Sequence, residues 1–378
     1  MHICLVYETL YPYFRGGAER WYRNLAERLA AEGFEVTYLT LRRWPAAEPP
    51  AIPGVRIVTV GPGDELYAAG RRRLSVTLRF GSAATSHLLR YGSDYDVVHT
   101  AALQLTALGA AAARRRHGFR LVVDWFEVWT RAYWLAYLGP VAGRVAWAAQ
   151  RTSMRTDHAA IVFSRLHEHR LRQSGFRGPI TRIEGLYAGP TEPPTPRAAE
   201  PVAVYLGRHI AEKRVTAVPP AIARARETAP ELRAAIFGDG PDRPSVLAEI
   251  ERLGLDGAVE APGIVAEAEV DAALRASLCL LHPSEREGYG LVVVEAAAAG
   301  TPVVLAAAED NAAVELVEEG VNGFVAASAS AEDLAAALVR VRDAGDPLRA
   351  STAAWFAANA DRLSLTTSLE RVLAVYRG

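Results

Sequence analysis

Residues 282–300 read HPSEREGYGLVVVEAAAAG and follow the apolar run Ser277–Leu281. The run predicts a buried strand, the polar segment a turn, and the alanine-rich segment a helix. A strand, a glycine-containing turn and a helix N-terminus together make an anion site, because free backbone N–H groups and the helix dipole converge there. Glu287 and Glu295 bracket the turn, with Gly288 and Gly290 between them. If most of that eight-residue step is helical, it spans about 12 Å. That is close to the distance from a hexose to a ribose across a diphosphate, so one segment could hold both ends of a nucleotide sugar. The plainer reading is an amphipathic helix carrying two solvated glutamates.

The segments around it repeat the pattern. A strand VAVYLG opens the second half, with others near Arg233–Phe237, Ala258–Glu260, Thr301–Leu305 and Gly323–Val325. Strands alternating with helical stretches imply a parallel, doubly wound sheet, in which ligands sit off the carboxyl ends of the strands. Directly after VAVYLG stands Gly207-Arg208-His209-Ile210-Ala211-Glu212-Lys213-Arg214. Arg208 and Lys213 leave a sheet end on a short loop, where two cations can grip a diphosphate. Phe237-Gly238-Asp239-Gly240-Pro241 is another strand-end turn, open to close approach by a ring or phosphate, or simply a tight turn. Asn311–Glu315 and Gly320–Gly323 read as a helix cap and a strand turn.

The first half has the same βαβ rhythm. HICLVY precedes a turn with Gly16 and Gly17, then a helix from Ala18 to Ala31, then FEVTYLT. Further strands are expected at Arg56–Val60, Val97–His99, Leu121–Asp124 and Ala159–Phe163. Gly16 and Gly17 would let the backbone approach a phosphate, although adjacent glycines equally make a tight turn. Asp94-Tyr95-Asp96 matches the short acidic pattern of metal-dependent sugar transferases, but it precedes its strand, at the wrong end, and reads as a turn. His99 falls at a carboxyl end, as a structural hydrogen-bonded histidine or a ligand contact. Asp124-Trp125-Phe126-Glu127-Val128-Trp129 sets two carboxylates among aromatics at a sheet end, suited to a sugar or to a buried tryptophan cluster. The aromatic, apolar stretch Ala132–Ala149 is broken by Gly139-Pro140 and Arg144, too short to span a bilayer. With the Arg114–Arg116 run it could rest against a membrane interface or lie in the core.

The totals bound these readings. A chain of 378 residues is long for one core, so two domains are expected. Half of it is hydrophobic and 22% charged, which is globular and not disordered composition. Leu186–Pro201, with five prolines and no apolar period, is the expected linker. Cys4 and Cys279 both fall in expected strands as small buried hydrophobes, which leaves neither a disulfide framework nor a cysteine metal site. The chain opens on a strand without a charged, cleavable leader, so a cytoplasmic location is expected. Residues 1–200 carry 26 arginines against 17 acidic residues, while 201–378 carry 15 arginines and one lysine against 26 acidic. A basic first half fits an anionic partner such as a membrane surface or charged acceptor. Lys213 is the only lysine in the chain.

In this order the pieces resemble the retaining nucleotide-sugar glycosyltransferases of carbohydrate-active family four. The resemblance covers essentially the whole chain, through the GGAER turn, VAVYLGR with Lys213, GDGP, the E-x7-E element EGYGLVVVE, and ELVEEGVNGFV. It implies an α/β GT-B fold, with two Rossmann-like doubly wound domains facing a central cleft. An acceptor-binding domain would occupy residues 1–188 and a nucleotide-sugar-binding domain 200–360, with a helix in 361–378 returning to the first domain. By the same resemblance Arg208 and Lys213 take the diphosphate and Glu287 the donor-sugar hydroxyls. Backbone amides of Gly288, Tyr289, Gly290 and Leu291 surround the sugar, Glu295 holds the ribose and Gly16 with Gly17 the distal phosphate. Gly207, Gly238 and Asp239 complete the expected donor site. Where the family often has a histidine near the transferred sugar this chain has Phe126, so the polar contact on the acceptor or sugar side passes to His99, Asp124 or Glu127.

The expected activity is metal-independent, configuration-retaining transfer of a hexose from a nucleotide diphosphate sugar. Its acceptor would be a lipid-linked glycan, a polysaccharide precursor or a small molecule. No cofactor, metal or nucleic-acid partner is expected, and an anionic membrane is a candidate peripheral partner. A GT-B sugar-nucleotide epimerase and a non-catalytic sugar-nucleotide-binding subunit are the alternatives. A pyridoxal-phosphate phosphorylase is excluded because it needs a Schiff-base lysine, and the single lysine is already placed at the diphosphate loop.

Overall fold

The computed structural model describes all residues except 46, 47, 49, 64–66, 69, 70, 103, 104 and 193–197. The middle of the proline-rich stretch Leu186–Pro201 therefore lies outside the described residues. Two compact units result, one made of Met1–Leu186 with Leu365–Gly378 and the other of Tyr187–Ser364.

In the first unit seven strands form one sheet, in the order Val55–Pro62, Glu35–Arg42, His2–Val6, Val97–Ala101, Arg120–Trp125, Ala159–Val162, Ile180–Arg182. Every pairing in it is parallel. Helices cover both faces of such a sheet, so its central strands read as unbroken apolar runs. Ile3, Cys4, Leu5 and Val6 are all 0% exposed, and each large side chain among them contributes about 2 kcal/mol of burial. The edge strand Ile180–Arg182 is half-buried throughout, and its three mixed residues carry no period that would mark a strand. The stretch Ala132–Ala149 is two helices, Arg131–Leu138 and Pro140–Ser153, parted at Gly139 with φ 83°. Proline at the first position of the second helix has no intrahelical N–H to lose. The last helix, Leu365–Arg377, buries Leu365, Leu369, Val372, Leu373 and Tyr376 and belongs to this unit.

The second unit has six parallel strands in the order Val259–Gly263, Arg233–Phe237, Glu200–Leu206, Ser277–His282, Val303–Ala306, Gly323–Ala326. Its helical stretch Ala331–Leu363 is broken at Gly345, whose φ is 52°, with Pro347 just beyond the break. Buried Arg349 on the second part donates to the carbonyls of Ser277 at 2.6 Å and Arg275 at 2.9 Å, tying that helix to the foot of a central strand. Cys4 and Cys279 are 0% exposed, and burial pushes both thiols up to about 12, which makes them unreactive. Because the strands are parallel, the loops after Leu206, Phe237, His282 and Ala306 all leave from one edge of the sheet.

Candidate functional site

The strand Ser277–His282 ends in His282, 2% exposed. Beyond it Arg286–Glu287 forms a two-residue strand paired in parallel with Asp310–Asn311, and Gly290 then turns the chain into the helix Leu291–Ala298. Gly290 has φ 101°, and a Cβ on it would stand 2.5 Å from the Ala313 Cβ. Backbone strain and the clash act together, so Gly290→Ala should cost about 1–3 kcal/mol, read as a lower urea midpoint. No side chain caps the helix, which leaves its first N–H groups directed at the loop. Only the part of the Glu287–Glu295 step from Leu291 onward is helical. The twelve-ångström estimate from an all-helical step therefore does not apply, because the extended pair and the Gly290 turn take up the first residues.

Lys213 ends the short 3-10 turn Ala211–Lys213 that follows the strand Glu200–Leu206. Its Nζ donates to Glu287 Oε1 at 2.5 Å and to the Arg286 carbonyl at 3.4 Å. His282 Nε2 lies 2.5 Å from the same carboxylate oxygen and 3.0 Å from Ser284 Oγ. Burial by itself would raise the Glu287 carboxyl. The Lys213 ammonium and His282 outweigh it and hold Glu287 well below the usual carboxylate range. The Tyr205 ring stacks on His282 at 5.9 Å, and its hydroxyl donates to the Arg208 carbonyl at 3.0 Å. One strand thereby orients both the histidine and the start of the cation-bearing loop. The Glu285 N–H donates to the Glu212 carbonyl at 2.9 Å, joining the two loops directly.

Of the residues singled out from sequence, Lys213 and Glu287 are in contact. The Arg208 backbone carbonyl meets Tyr205, whose ring stacks on His282, and Gly288, Tyr289, Gly290, Leu291 and Glu295 continue the Glu287 segment. Glu295 is half-buried within the helix, one turn from its start. Gly207 and Gly238 flank the same edge. Gly238 has φ 121°, and a Cβ there would meet the Gly207 carbonyl oxygen at 1.9 Å, so loop-on-loop packing already requires that glycine. Asp239 is exposed and accepts from the Gly240 N–H at 2.8 Å. His282 was not singled out from sequence. Its signal was its position, the last residue of a parallel strand, where side chains meet ligands.

The remaining sequence-derived residues belong to the first unit. Gly16, extended at φ −166°, caps the helix Gly17–Ala31. A Cβ on Gly16 would stand 2.3 Å from Glu19 Oε2, and one on Gly17 would meet nothing. The strand expected to end at His99 continues to Ala101, so His99 lies inside it. His99 and Asp124 are 0% and 1% exposed. Asp124 accepts from His99 Nε2 at 2.7 Å and from Trp21 Nε1 at 2.9 Å, and His99 Nδ1 meets the Tyr376 hydroxyl at 2.6 Å. This network fixes the last helix and the first onto the sheet. Glu127 accepts from Trp129 Nε1 at 2.5 Å. Phe126 stacks on Phe163 with centroids 4.6 Å apart. Among the described residues no group of three or more His, Cys, Asp or Glu is placed to hold a metal ion.

Two family profiles match the chain: glycosyl transferases group 1 over residues 192–353, and a glycosyl transferase 4-like domain over residues 16–185. The chain belongs to the family-four glycosyltransferases of GT-B fold, and it transfers a sugar from a nucleotide sugar. A glycogen synthase of Mycobacterium tuberculosis is 28% identical, over 98% of this chain and 91% of its own. Among solved structures, a sucrose-phosphate synthase from Thermosynechococcus elongatus superposes with a TM-score of 0.81 at 20% identity, over 100% of this chain and 98% of its own. Anabaena HepE, solved with UDP and glucose, gives 0.73 at 20% identity, over 100% and 99%. At those identities the likeness is one of fold.

Proposed function

We propose that the chain is a configuration-retaining, metal-independent hexosyltransferase, in which Lys213 and Arg208 take the donor diphosphate and Glu287 takes the sugar. The observation that carries this reading is the contact of Lys213 and His282 with one oxygen of Glu287 beside an uncapped helix N-terminus. An ammonium has three N–H donors; two are used on Glu287 and the Arg286 carbonyl, and the third serves a phosphate. Glu287 receives both partners on Oε1, and Oε2 serves a sugar hydroxyl. As the bond from the sugar C1 to the phosphate oxygen lengthens, negative charge grows on the diphosphate, and the two cations and the helix dipole stabilise it. The acceptor oxygen forms its bond to C1 on the face being vacated, and its proton passes to the departing phosphate oxygen, so configuration is kept. A thermal-shift screen of nucleoside diphosphates and their sugars in EDTA names the donor. UDP and UDP-glucose come first, since HepE was solved with UDP and glucose. NMR of the product then reports the anomer. Transfer with inversion, or transfer abolished by EDTA and restored by a divalent cation, would refute this reading.

We also propose that the first unit meets an anionic membrane through the helices Arg131–Leu138 and Pro140–Ser153. Val141 and Val145 are 73% and 66% exposed, one turn apart. The guanidinium groups of Arg131 and Arg151 lie 5.6 and 5.1 Å from the Trp147 ring centroid. Residues 131–153 hold three arginines and no acidic residue. An apolar stripe rimmed by cations and an aromatic ring suits the headgroup boundary of a bilayer. Among the described residues no helix is long and apolar enough to cross a membrane. The chain should float with phosphatidylglycerol vesicles at low salt, and the double variant Val141→Glu, Val145→Glu should stay at the bottom of the gradient. Equal behaviour of the two proteins refutes this contact.

A further inference from the structure

We infer that the buried Arg286–Asp310 ion pair is a positioning device that sets where Glu287 stands relative to Lys213. Arg286 is 5% exposed, and its Nη2 bonds Asp310 Oδ2, whose side chain is 17% exposed. The two residues face each other across the short parallel ladder, with Glu287 opposite Asn311. In extended chain successive side chains point to opposite faces. Arg286 therefore reaches Asp310 on one side while Glu287 reaches Lys213 and His282 on the other. A ladder of two residues has too few backbone bonds to fix a loop by itself. Side chains supply what it lacks: Asn311 Nδ2 donates to the carbonyls of Ser284 at 3.0 Å and Ala306 at 2.9 Å. The same residue's Oδ1 accepts from the Ala313 N–H at 3.1 Å. The loop is thus held at Ser284, at Glu285 through the Glu212 carbonyl, and at Arg286 through Asp310. Removing one partner of a buried pair is destabilising, because the charge that remains loses a contact matched to it. The loop relieves that by carrying Arg286 toward water, and the adjoining Glu287 moves with it. Neither Arg286 nor Asp310 touches the reacting atoms in this account; both act through Glu287. The consequence for turnover rests on the proposed donor clamp, with Lys213 on the diphosphate and Glu287 on the sugar, whereas the placement of Glu287 does not.

Because Lys213 is the only lysine, its acetylation by an N-hydroxysuccinimide ester reads the loop without any ligand. Mass spectrometry of the Lys213 peptide gives the rate separately from that of the chain terminus. Wild type should react slowly, with Nζ held by Glu287 and the Arg286 carbonyl and its side chain 16% exposed. Glu287→Gln is the reference for a released lysine. Asp310→Asn should raise the rate about tenfold, toward that reference, as local opening governs access, while Asp310→Glu, which keeps the pair, stays near wild type. The double variant Arg286→Met, Asp310→Leu removes both charges of the pair together and should also react fast. Wild-type rates in Asp310→Asn and in the double variant, with Glu287→Gln fast, would overturn the positioning role. Full turnover in Glu287→Gln would instead refute the donor-clamp reading and leave the labelling result standing.

Discussion

Lys213→Ala should lower transfer turnover by about a hundred- to a thousandfold, the scale for losing one preorganised group aimed at developing charge. The diphosphate gains charge as the sugar bond breaks, so an interaction with it is worth more in the transition state than in the donor complex. The fall should therefore appear in kcat as well as in donor KM. Stability should change too. Lys213 and Glu287 side chains are 16% and 12% exposed, and losing one member of a largely buried pair is destabilising. His282 remains on the carboxylate, so we expect about 1–3 kcal/mol, below the full cost of an orphaned buried charge. Lys213→Met restores the apolar stem without the charge and should recover part of the stability but none of the turnover. Steady-state kinetics and urea unfolding on the two variants separate these contributions. Wild-type turnover in either variant would remove Lys213 from the mechanism.

Glu287→Gln should lower kcat/KM by about a hundredfold while keeping the size of the side chain. The pH dependence follows from the sign of the shift. Burial would raise the Glu287 carboxyl, but Lys213 and His282 hold it well below the usual carboxylate range. A carboxyl depressed in the folded state contributes stability that is complete above its unfolded value of about 4.3 and is lost as pH falls through the folded value. Glu287 is thus ionised throughout the neutral and mildly acidic range. In the proposed reaction it accepts hydrogen bonds from the sugar and carries no proton. The pH profile of kcat/KM should therefore show no acidic limb between about pH 5 and 7 that vanishes in Glu287→Gln. Such a limb would mean that Glu287 titrates there and acts as an acid or base.

The sheets were legible because buried parallel strands read as apolar runs such as HICLVY and SLCLL, and the helix break at Gly139-Pro140 because those residues stop and start helices. The edge strand Ile180–Arg182 was not, since three mixed residues carry no apolar period, whereas the break at Gly345, with Pro347 beside it, carries the same glycine and proline signal as Gly139-Pro140. At the site, residue types were legible and pairings were not. Lys213 and Glu287 stand 74 positions apart and Arg286 and Asp310 stand 24 apart, so only the fold brings each pair together. His99 and Asp124 show the limit from the other side. When both faces of a strand are buried, alternation does not say where a polar side chain points. Both residues turn into a closed network with Trp21 and Tyr376.

The central claim is a division of labour, with Lys213 on the diphosphate and Glu287 on the sugar. Calorimetric titration of a nucleoside diphosphate and of its sugar conjugate tests it on three proteins: wild type, Lys213→Ala and Glu287→Gln. UDP with UDP-glucose is the first pair to use, or the pair that gives the largest thermal shift. The account predicts that Lys213→Ala weakens both ligands, while Glu287→Gln binds the diphosphate as wild type does and loses only the added affinity of the sugar. Equal losses for both ligands in Glu287→Gln, or wild-type affinity for the diphosphate in Lys213→Ala, would contradict it.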